Sequence, residues 1–246
     1  VVAPGQDKHR VLAMASSRTF GLDAAKEETS YGLPYQPVPL GAGSVYKIFT
    51  AATAMEKGLG INYQLAVPPS GYASPIYVDG GGRPLPVANS SNYPERMTLT
   101  DALALSPNTA FIKLEEFTGV PDVVDMAVRL GMKSLATTPF VQGDGRRTDR
   151  SIAEVTKAQK QASFTLGVTP TSVLELANVG ATLDSSGKWC PPSPIEKITD
   201  AGGNPVPLTE APCEQAVDPA LANTLLTGLS KDDTLGTAAG AARQVG

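Results

Sequence analysis

The sequence predicts a mixed α+β fold, because segments with the apolar spacing of helices stand between short runs typical of strands. The clearest helix covers residues 44–57, where apolar residues recur every three or four positions. Residues 10–16 are mainly apolar and residues 195–199 alternate, which favours strands towards both ends of the chain. We expect residues 10–16 to form a buried strand.

Five further helices are predicted from capping residues and helix breakers. Residues 98–101 match a capping box that opens a helix ending at Leu105. Thr169 and Pro170 have the pattern of a helix start, with the helix running through Ala181. The other three are expected at residues 109–117, at residues 121–131 and after Asp218-Pro219.

The segments between these helices are expected to be loops and turns. Residues 18–40, 61–94 and 139–149 are rich in proline, glycine and polar residues, so we expect irregular structure there. A β-hairpin is predicted at residues 195–203. The tail at residues 236–246 is expected to stop without a closing element.

Composition and charge indicate a globular domain without a nucleic-acid partner. Hydrophobic residues make up 41% and charged residues 18% of the 246 positions. The net charge of −4, without long runs of one sign, argues against a nucleic-acid groove or a polybasic membrane patch. The single histidine excludes a histidine-rich metal site, and we expect neither a metal nor a cofactor.

His9 lies in a polar run near the N-terminus and is expected to be a solvated surface imidazole. That position leaves the chain without a convincing Ser-His-Asp triad. Lysine is then the remaining plausible base for a nucleophilic serine, since a desolvated amine can accept the hydroxyl proton.

Cys190 and Cys213 lie 23 positions apart in a segment rich in proline and glycine. This spacing favours a single loop-closing disulfide, worth roughly 3 kcal/mol on the chain-entropy estimate, and two unpaired thiols are the alternative. A disulfide would imply an oxidising, extracytoplasmic setting. The sequence contains no signal peptide or apolar stretch of about 18 residues, so we expect any export signal or anchor to lie outside this chain.

Two short motifs could together carry chemistry. Ser44 and Lys47 stand three residues apart on one helical face, with Cβ atoms expected roughly 5–6 Å apart. Ser185 and Lys188 have the same spacing but lie in a glycine-containing turn, and we interpret that match as chance. Ser-x-Asn also occurs twice, at residues 90–92 between predicted elements and at residues 106–108 between two predicted helices. Each motif alone is more typical of a structural role, whereas residues 44–47 followed by residues 106–108 favour a catalytic one.

With their flanks, these motifs resemble a known family. Residues 43–50 (GSVYKIFT) resemble the active-site helix of penicillin-binding protein transpeptidase domains, and residues 97–111 (MTLTDALALSPNTAF) resemble their second motif. The resemblance continues through residues 166–177 and the hairpin at 195–203, so it covers most of the chain. It is strongest to class A, bifunctional enzymes, and the loop between the cysteines is similar to that of actinobacterial members.

The resemblance implies a serine β-lactamase/D,D-peptidase-like fold, with an antiparallel sheet flanked by helices in one domain at residues 1–246, mainly helical over about 44–185. It implies a D,D-transpeptidase in which Ser44 attacks the penultimate D-alanine carbonyl of a peptidoglycan stem peptide. Lys47 would accept the proton of Ser44, and Ser106 would relay a proton to the leaving D-alanine. Asn108 would bind the substrate backbone and steady Lys47. β-Lactam antibiotics would acylate Ser44.

One family motif does not occur in the sequence. The third motif, Lys-Thr-Gly or Lys-Ser-Gly, is found nowhere in the 246 residues. The resemblance therefore implies that the domain is incomplete at its C-terminus and pairs with a complementary C-terminal fragment carrying that motif. We expect the parent protein to act in the cell envelope, anchored by a segment outside this chain.

Three other functions remain open. A serine β-lactamase would share the fold and both motifs, but the class A type needs a glutamate in a Glu-x-x-Leu-Asn context. Residues 154–158 (EVTKA) do not match that context. A non-catalytic β-lactam sensor would acylate without transferring to an amine. A structural or binding domain would use none of these residues.

Overall fold

The computed structural model describes residues 1–5 and 7–245, so the predicted domain end at Gly246 lies outside the described residues. The α-helices of the described chain are α1 (Lys47–Glu56), α2 (Leu99–Leu105), α3 (Asn108–Thr118), α4 (Val120–Leu130), α5 (Ser134–Thr137), α6 (Ile152–Ala158), α7 (Val173–Asp184), α8 (Pro219–Leu229) and α9 (Ala239–Val245). Among them, none has both the length and the apolar character to cross a membrane.

The strands of the described chain are short. They are β1 (Val2–Ala3), β2 (His9–Val11), β3 (Gln64–Ala66), β4 (Tyr72–Val78), β5 (Pro84–Val87), β6 (Arg96–Thr98), β7 (Pro139–Val141), β8 (Arg147–Ser151), β9 (Lys188–Trp189), β10 (Pro192–Ser193), β11 (Ile198–Thr199), β12 (Pro205–Val206) and β13 (Glu214–Gln215). Helices and strands together confirm the predicted mixed class.

Helix α1 lies at the centre of the core, where it packs against α3, α4 and α8. A 3₁₀ turn at Gly43–Tyr46 precedes it, so the predicted helix begins with one tighter turn. Tyr46 and Phe49 are fully buried and meet edge to face at 5.1 Å between ring centroids. Phe164 packs on Tyr46 at 5.0 Å. Burying aromatic side chains is a large source of stability, so this cluster holds the start of α1 in place.

The predicted capping box of α2 is confirmed at its N-cap. Thr98 Oγ1 accepts a hydrogen bond from the backbone N–H of Asp101 (3.0 Å) and donates one to Asp101 Oδ2 (2.7 Å). Asp218 likewise caps α8. The predicted start of α7 at Thr169-Pro170 is wrong, because Ser172 caps that helix by accepting from the N–H of Glu175.

The N-terminal strands join β10 in a three-stranded sheet. β1 pairs with β2 in antiparallel orientation, whereas β10 pairs with β2 in parallel orientation, so the sheet is mixed rather than wholly antiparallel. A parallel neighbour needs a crossover, which the chain makes through its helical part. The buried strand predicted at residues 10–16 is wrong, since β2 ends at Val11 and Leu12 and Met14 are 56% and 50% exposed.

Two segments predicted as irregular contain hairpins or paired strands. Within residues 61–94, β4 pairs with β5, and β3 pairs with β6, which lies just after that segment. Proline at positions 75, 84 and 86 obscured this pattern in the sequence, because it cannot donate to a ladder and is confined to edges and bulges. β7 and β8 form a hairpin at residues 139–151. The predicted hairpin near residue 200 is confirmed by β11 and β12, and the tail forms α9 rather than ending without an element.

Candidate active site

The backbone before α1 is pinned against a second loop. Gly43 has φ +62°, and both Ala42 and Gly43 donate their N–H groups to the carbonyl of Gly167, at 3.0 and 3.1 Å. A side chain on Gly167 would collide with the carbonyl of Gly43, so only glycine permits this approach. This contact determines where the first helical turn begins and thereby places Ser44.

Ser44 and Lys47 differ sharply in exposure although they are one turn apart. Ser44 lies exposed in the 3₁₀ turn, where backbone N–H groups lack intrahelical acceptors. Lys47 begins α1 and is only 2% exposed. A solvent-facing hydroxyl therefore stands beside a lysine that the fold has removed from water.

The Ser106–Asn108 bend supplies the partners of that lysine. Ser106 ends α2 in a left-handed conformation with φ 61°, and Pro107 leads directly into α3. Lys47 Nζ lies 2.7 Å from the Ser106 carbonyl oxygen, 2.8 Å from Ser106 Oγ and 2.7 Å from Asn108 Oδ1. The structure thus brings three of the four predicted residues into one hydrogen-bonded cluster.

Burial lowers the pKa of the Lys47 ammonium from its ordinary value near 10.5 to about 7. Phe111 contributes to the apolar surroundings, with its ring centroid 5.4 Å from Nζ. Near neutral pH a substantial fraction of Lys47 is therefore the free amine, which has two hydrogens and a lone pair. In that form the hydroxyl of Ser106 can donate its hydrogen to Nζ, which links the two groups for proton transfer.

A cleft of about 310 Å³ opens at this cluster. Its described lining includes four apolar residues and five polar ones: Val45, Ile48, Leu103 and Leu229, and Ser44, Lys47, Ser106, Asp232 and Thr237. Asn108 contributes no lining to it; its Nδ2 donates to the carbonyl of Ala88 at 2.9 Å. The geometry agrees with the predicted steadying of Lys47 by Asn108, whereas contact of Asn108 with a substrate stays a prediction.

Asp232 and Thr237 are the cleft residues that sequence reasoning did not single out. They follow α8 in a segment of small and polar residues, and no spacing there relates them to Ser44. Only the return of this segment to α2 brings them to the cleft.

The predicted disulfide between Cys190 and Cys213 is present, with the two Cα atoms 4.2 Å apart.

The prediction of a solvated His9 is wrong, because His9 is fully buried. Asn178 Nδ2 donates to the carbonyl of Cys190 (3.1 Å), so Asn178 Oδ1 accepts from His9 Nδ1 (2.8 Å). Ser185 Oγ then donates to His9 Nε2 at 3.0 Å.

The chain Ser185–His9–Asn178 resembles a nucleophile with its base, but the surrounding backbone does not suit acyl transfer. Such a site needs N–H groups directed at a developing oxyanion. In the described structure, the N–H groups of residues 186, 187 and 188 donate to the carbonyls of Leu183, Thr182 and Ser185. We interpret the cluster as a satisfied polar network that joins β2 to α7.

Comparisons with known proteins agree on one family. The family model described as penicillin binding protein transpeptidase domain matches residues 1–246. Penicillin-binding protein 1A of Mycobacterium tuberculosis is 28% identical over 183 residues, which covers 72% of this chain and 20% of that protein. Penicillin-binding protein 1A of Mycolicibacterium smegmatis is 25% identical over 236 residues, 92% of this chain and 27% of that protein. The chain thus spans less than a third of the length of these relatives.

Solved structures share the fold. PonA1 from Mycobacterium tuberculosis, in complex with penicillin V, aligns with a TM-score of 0.61 and 22% identity over 84% of this chain and 50% of that one. The imipenem acyl-enzyme of penicillin-binding protein A from the same organism aligns with a TM-score of 0.64 and 18% identity, over 86% and 47%. The D,D-transpeptidase domain of a peptidoglycan glycosyltransferase from Eggerthella lenta aligns with a TM-score of 0.63 and 20% identity, over 89% of this chain and 54% of that one. The predicted fold is confirmed.

Proposed function

Because the chain belongs to the penicillin-binding protein transpeptidase family, we propose that it is a serine D,D-transpeptidase that cross-links peptidoglycan stem peptides. The observation that carries the proposal is the buried Lys47 amine, held by Ser106 and Asn108 one turn from the exposed Ser44. A nucleophilic serine needs a neutral base within reach, and this amine is the one the cleft offers.

In the first half-reaction, Ser44 Oγ attacks the carbonyl carbon of the penultimate D-alanine while its proton passes to Lys47 Nζ. The backbone N–H of Ser44 stabilises the oxyanion from the first helical turn. The C–N bond to the terminal D-alanine then breaks, and Ser106 Oγ donates its proton to the leaving nitrogen. Lys47 returns a proton to Ser106 across their 2.8 Å contact, which leaves an acyl-enzyme and a neutral amine.

β-Lactam antibiotics acylate Ser44 by the same attack, on the strained amide of the ring. PonA1 in complex with penicillin V and the acyl-enzyme of penicillin-binding protein A support this proposal through their shared fold. A complementary C-terminal portion with the Lys-Thr-Gly motif would complete the cleft and bind the substrate carboxylate.

The protein acts outside the cytoplasm, in the cell envelope, where stem peptides are found. The disulfide between Cys190 and Cys213 supports this location, because disulfides persist in oxidising compartments. An anchor elsewhere in the parent protein would hold the domain at the membrane.

A transpeptidase is favoured over a serine β-lactamase by the position of Glu154. Its Oε2 accepts from the backbone N–H of Ser151 at 2.6 Å, and Ser151 Oγ accepts from the N–H of Glu154 at 3.2 Å. This carboxylate caps α6, so it is not placed to activate a deacylating water.

The test is labelling of the full-length protein with a fluorescent penicillin, followed by mass spectrometry of the modified peptide. We expect a slowly decaying penicilloyl adduct on Ser44, complete loss of label in Ser44→Ala, and retained label in the control Ser185→Ala. Label that persists in Ser44→Ala would leave a structural or binding domain as the remaining function. Fast turnover of nitrocefin would support the lactamase. Acylation of Ser44 by penicillin without any transfer of a peptide donor to an amine acceptor would support the sensor.

A further inference from the structure

Strand β3 is paired along one edge only. In the described part of the chain it pairs with β6 and with no other strand. Val67 donates its N–H to the carbonyl of Glu95 at 2.8 Å, so every second residue back from Val67 bonds to β6. The N–H and C=O groups of Gln64 and Ala66 therefore point to the opposite edge, where none of the described residues bonds to them. An unpaired edge of this kind is a template for a further strand.

A pocket of about 410 Å³ adjoins this edge. All three residues of β3 line it, together with residues of α3. Tyr63 and Phe117 also line it and are 50% and 52% exposed, whereas Leu114 is buried. The pocket can thus take up a bulky apolar side chain from a strand that pairs with β3.

The charged groups of the pocket lining leave it basic. Arg96 makes no hydrogen bond or ion pair with any residue that the structure describes. Lys113 Nζ lies 3.8 Å from Glu116 Oε2, which is a long ion pair. The Glu116 carboxylate is already satisfied, because it accepts hydrogen bonds from Tyr72 and Ser74 at 2.8 Å and its side chain is 8% exposed. The guanidinium of Arg96 and the ammonium of Lys113 are therefore available to bind carboxylates.

This pocket is separate from the cleft at Ser44, since the two share no described lining residue. Leu59, which lines the pocket, follows the end of α1, whereas Ser44 precedes its start. A helix of ten residues is about 15 Å long, so a ligand in this pocket leaves the cleft open. The proposed Lys-Thr-Gly portion would complete the cleft, at the other end of α1.

We propose that the open edge of β3 and the adjoining pocket form a docking site for an extended acidic segment of a partner protein. The segment adds a strand to β3 through the main-chain groups of Gln64 and Ala66, and it places an apolar side chain in the pocket. Its carboxylates pair with Arg96 and Lys113. This site goes beyond the proposed transpeptidase function and does not depend on it.

Charge argues for a partner protein rather than a second copy of this chain. If β3 paired with β3 of another copy, the Arg96 and Lys113 side chains of both copies would come together along the new sheet. Like charges placed side by side oppose association, and basic side chains are a common protection of sheet edges against self-pairing. An acidic segment meets the opposite situation, because each carboxylate gains a cation.

The experiment measures binding of a rhodamine-labelled peptide, Glu-Val-Glu-Trp-Val-Thr-Glu, to the full-length protein by fluorescence anisotropy. The peptide supplies an aromatic side chain, flanking carboxylates and residues that favour an extended chain. Two further peptides are N-methylated on alternate residues, one on the odd and one on the even positions. A fourth has lysine in place of each glutamate.

We expect saturable binding of the first peptide and opposite behaviour of the two N-methylated ones. Only every second N–H of an added strand faces β3. One N-methylated peptide should therefore bind like the first peptide, and the other at least about tenfold more weakly, because it loses its hydrogen bonds to the open edge.

Variants of the protein test the edge and the charges separately. Ala66→Pro removes an N–H that faces away from β6, so it should spare that pairing and weaken binding about fivefold or more. Arg96→Glu combined with Lys113→Glu should weaken binding of the glutamate peptide about tenfold or more and favour the lysine peptide. The matched control, Arg18→Glu with Lys197→Glu, makes the same change in net charge at exposed positions outside the pocket lining and should bind like wild type. A cooperative urea transition shows that each variant is folded.

Binding by wild type weaker than about 1 mM would overturn the inference, as would an equal response to the two N-methylated peptides. Binding that either Ala66→Pro or the double charge reversal leaves unchanged would also overturn it, as would an equal loss in the control. A dimer that Ala66→Pro dissociates in analytical ultracentrifugation would show a second copy on the edge and would likewise overturn it. Because binding is the readout, absence of penicillin label on wild type would overturn the proposed function alone.

Discussion

Ser44 and Lys47 share their spacing with Ser185 and Lys188, but the two pairs lie in different backbones. The first pair spans a 3₁₀ turn that continues into α1, which places Lys47 in the core and leaves Ser44 exposed. The second pair spans the end of α7, where the backbone turns through a left-handed Ser186 with φ 53° before Lys188 enters β9. One spacing thus yields a buried amine in one place and a turn in the other.

The partners of each pair explain the difference further. Lys47 forms hydrogen bonds to Ser106 and Asn108, about 60 positions away in the sequence, and these groups replace water around its amine. Ser185 instead donates to His9, which is itself committed to Asn178. The comparison teaches that a Ser-x-x-Lys sequence becomes a candidate site when the fold desolvates the lysine and supplies its acceptors.

The largest expected difference is in acylation. Lys47→Ala should slow labelling of Ser44 by fluorescent penicillin by about 10² to 10⁴, the range typical of a lost general base. Lys188→Ala should change the rate less than about twofold. Rate constants from time courses of labelling measure both, and equal effects of the two substitutions would invalidate the comparison.

The next effect is on stability, at the second pair. His9→Phe should lower the free energy of unfolding by about 2–4 kcal/mol, because Asn178 Oδ1 and Ser185 Oγ would lose a buried partner. Urea unfolding at pH 7.5 measures this. Folded His9→Phe protein should still be labelled by penicillin, and loss of label from the folded fraction would contradict a purely structural role.

The same network has a pH dependence of known sign. Burial lowers the pKa of His9 in the folded protein below its ordinary 6.5. At a pH between the folded and the unfolded pKa, the unfolded chain therefore binds more protons than the folded one. This contribution to stability is full above pH 6.5 and is lost as the pH falls below it. Urea unfolding at pH 7.5 and 5.5 measures the fall in the free energy of unfolding between these two pH values. That fall should be smaller in His9→Phe than in wild type.

The acylation rate should report the protonation of Lys47. Since only the free amine can accept the proton of Ser44, the rate should rise about tenfold per pH unit below pH 7 and level off above it. Labelling rates between pH 5.5 and 9 test this. A midpoint near 10 would show that Lys47 is not desolvated in solution.

The smallest effect is expected for Ser185→Ala. It removes one hydrogen bond to His9 at the partly exposed end of α7, so the free energy of unfolding should fall by about 1 kcal/mol. The same urea titration measures it. A change much larger than that of His9→Phe would mean that Ser185 has partners beyond the network.

Much of the local structure was predictable from residues that act on their neighbours. The Thr98 cap, the interruption at Ser106-Pro107 and the Asp218 cap depend on dihedral preferences and hydrogen bonds within a few positions. The disulfide was predictable because only two cysteines exist. The roles of Ser44, Lys47, Ser106 and Asn108 in catalysis stay predictions, although the geometry agrees with them.

Several of the errors concern contacts between distant segments. His9 was expected in water because its neighbours in sequence are polar, yet residues 178 and 185 supply its buried partners. The start of α7 shifted to Ser172 because Thr171 pairs with Val38 in an extended bridge. Asp232 gave no signal because its place in the cleft depends on contacts of its segment with α2.

By itself, the sequence determined which residues could carry chemistry and which short segments would be helical, since nucleophile, base and caps are properties of residue type and local spacing. The flanking sequence favoured Ser44 and Lys47 over Ser185 and Lys188, but the tertiary structure alone decided that the Lys47 amine is removed from water and held by acceptors. It did so because the pKa of a lysine depends on the water and acceptors around its amine, and packing between segments far apart in sequence sets both.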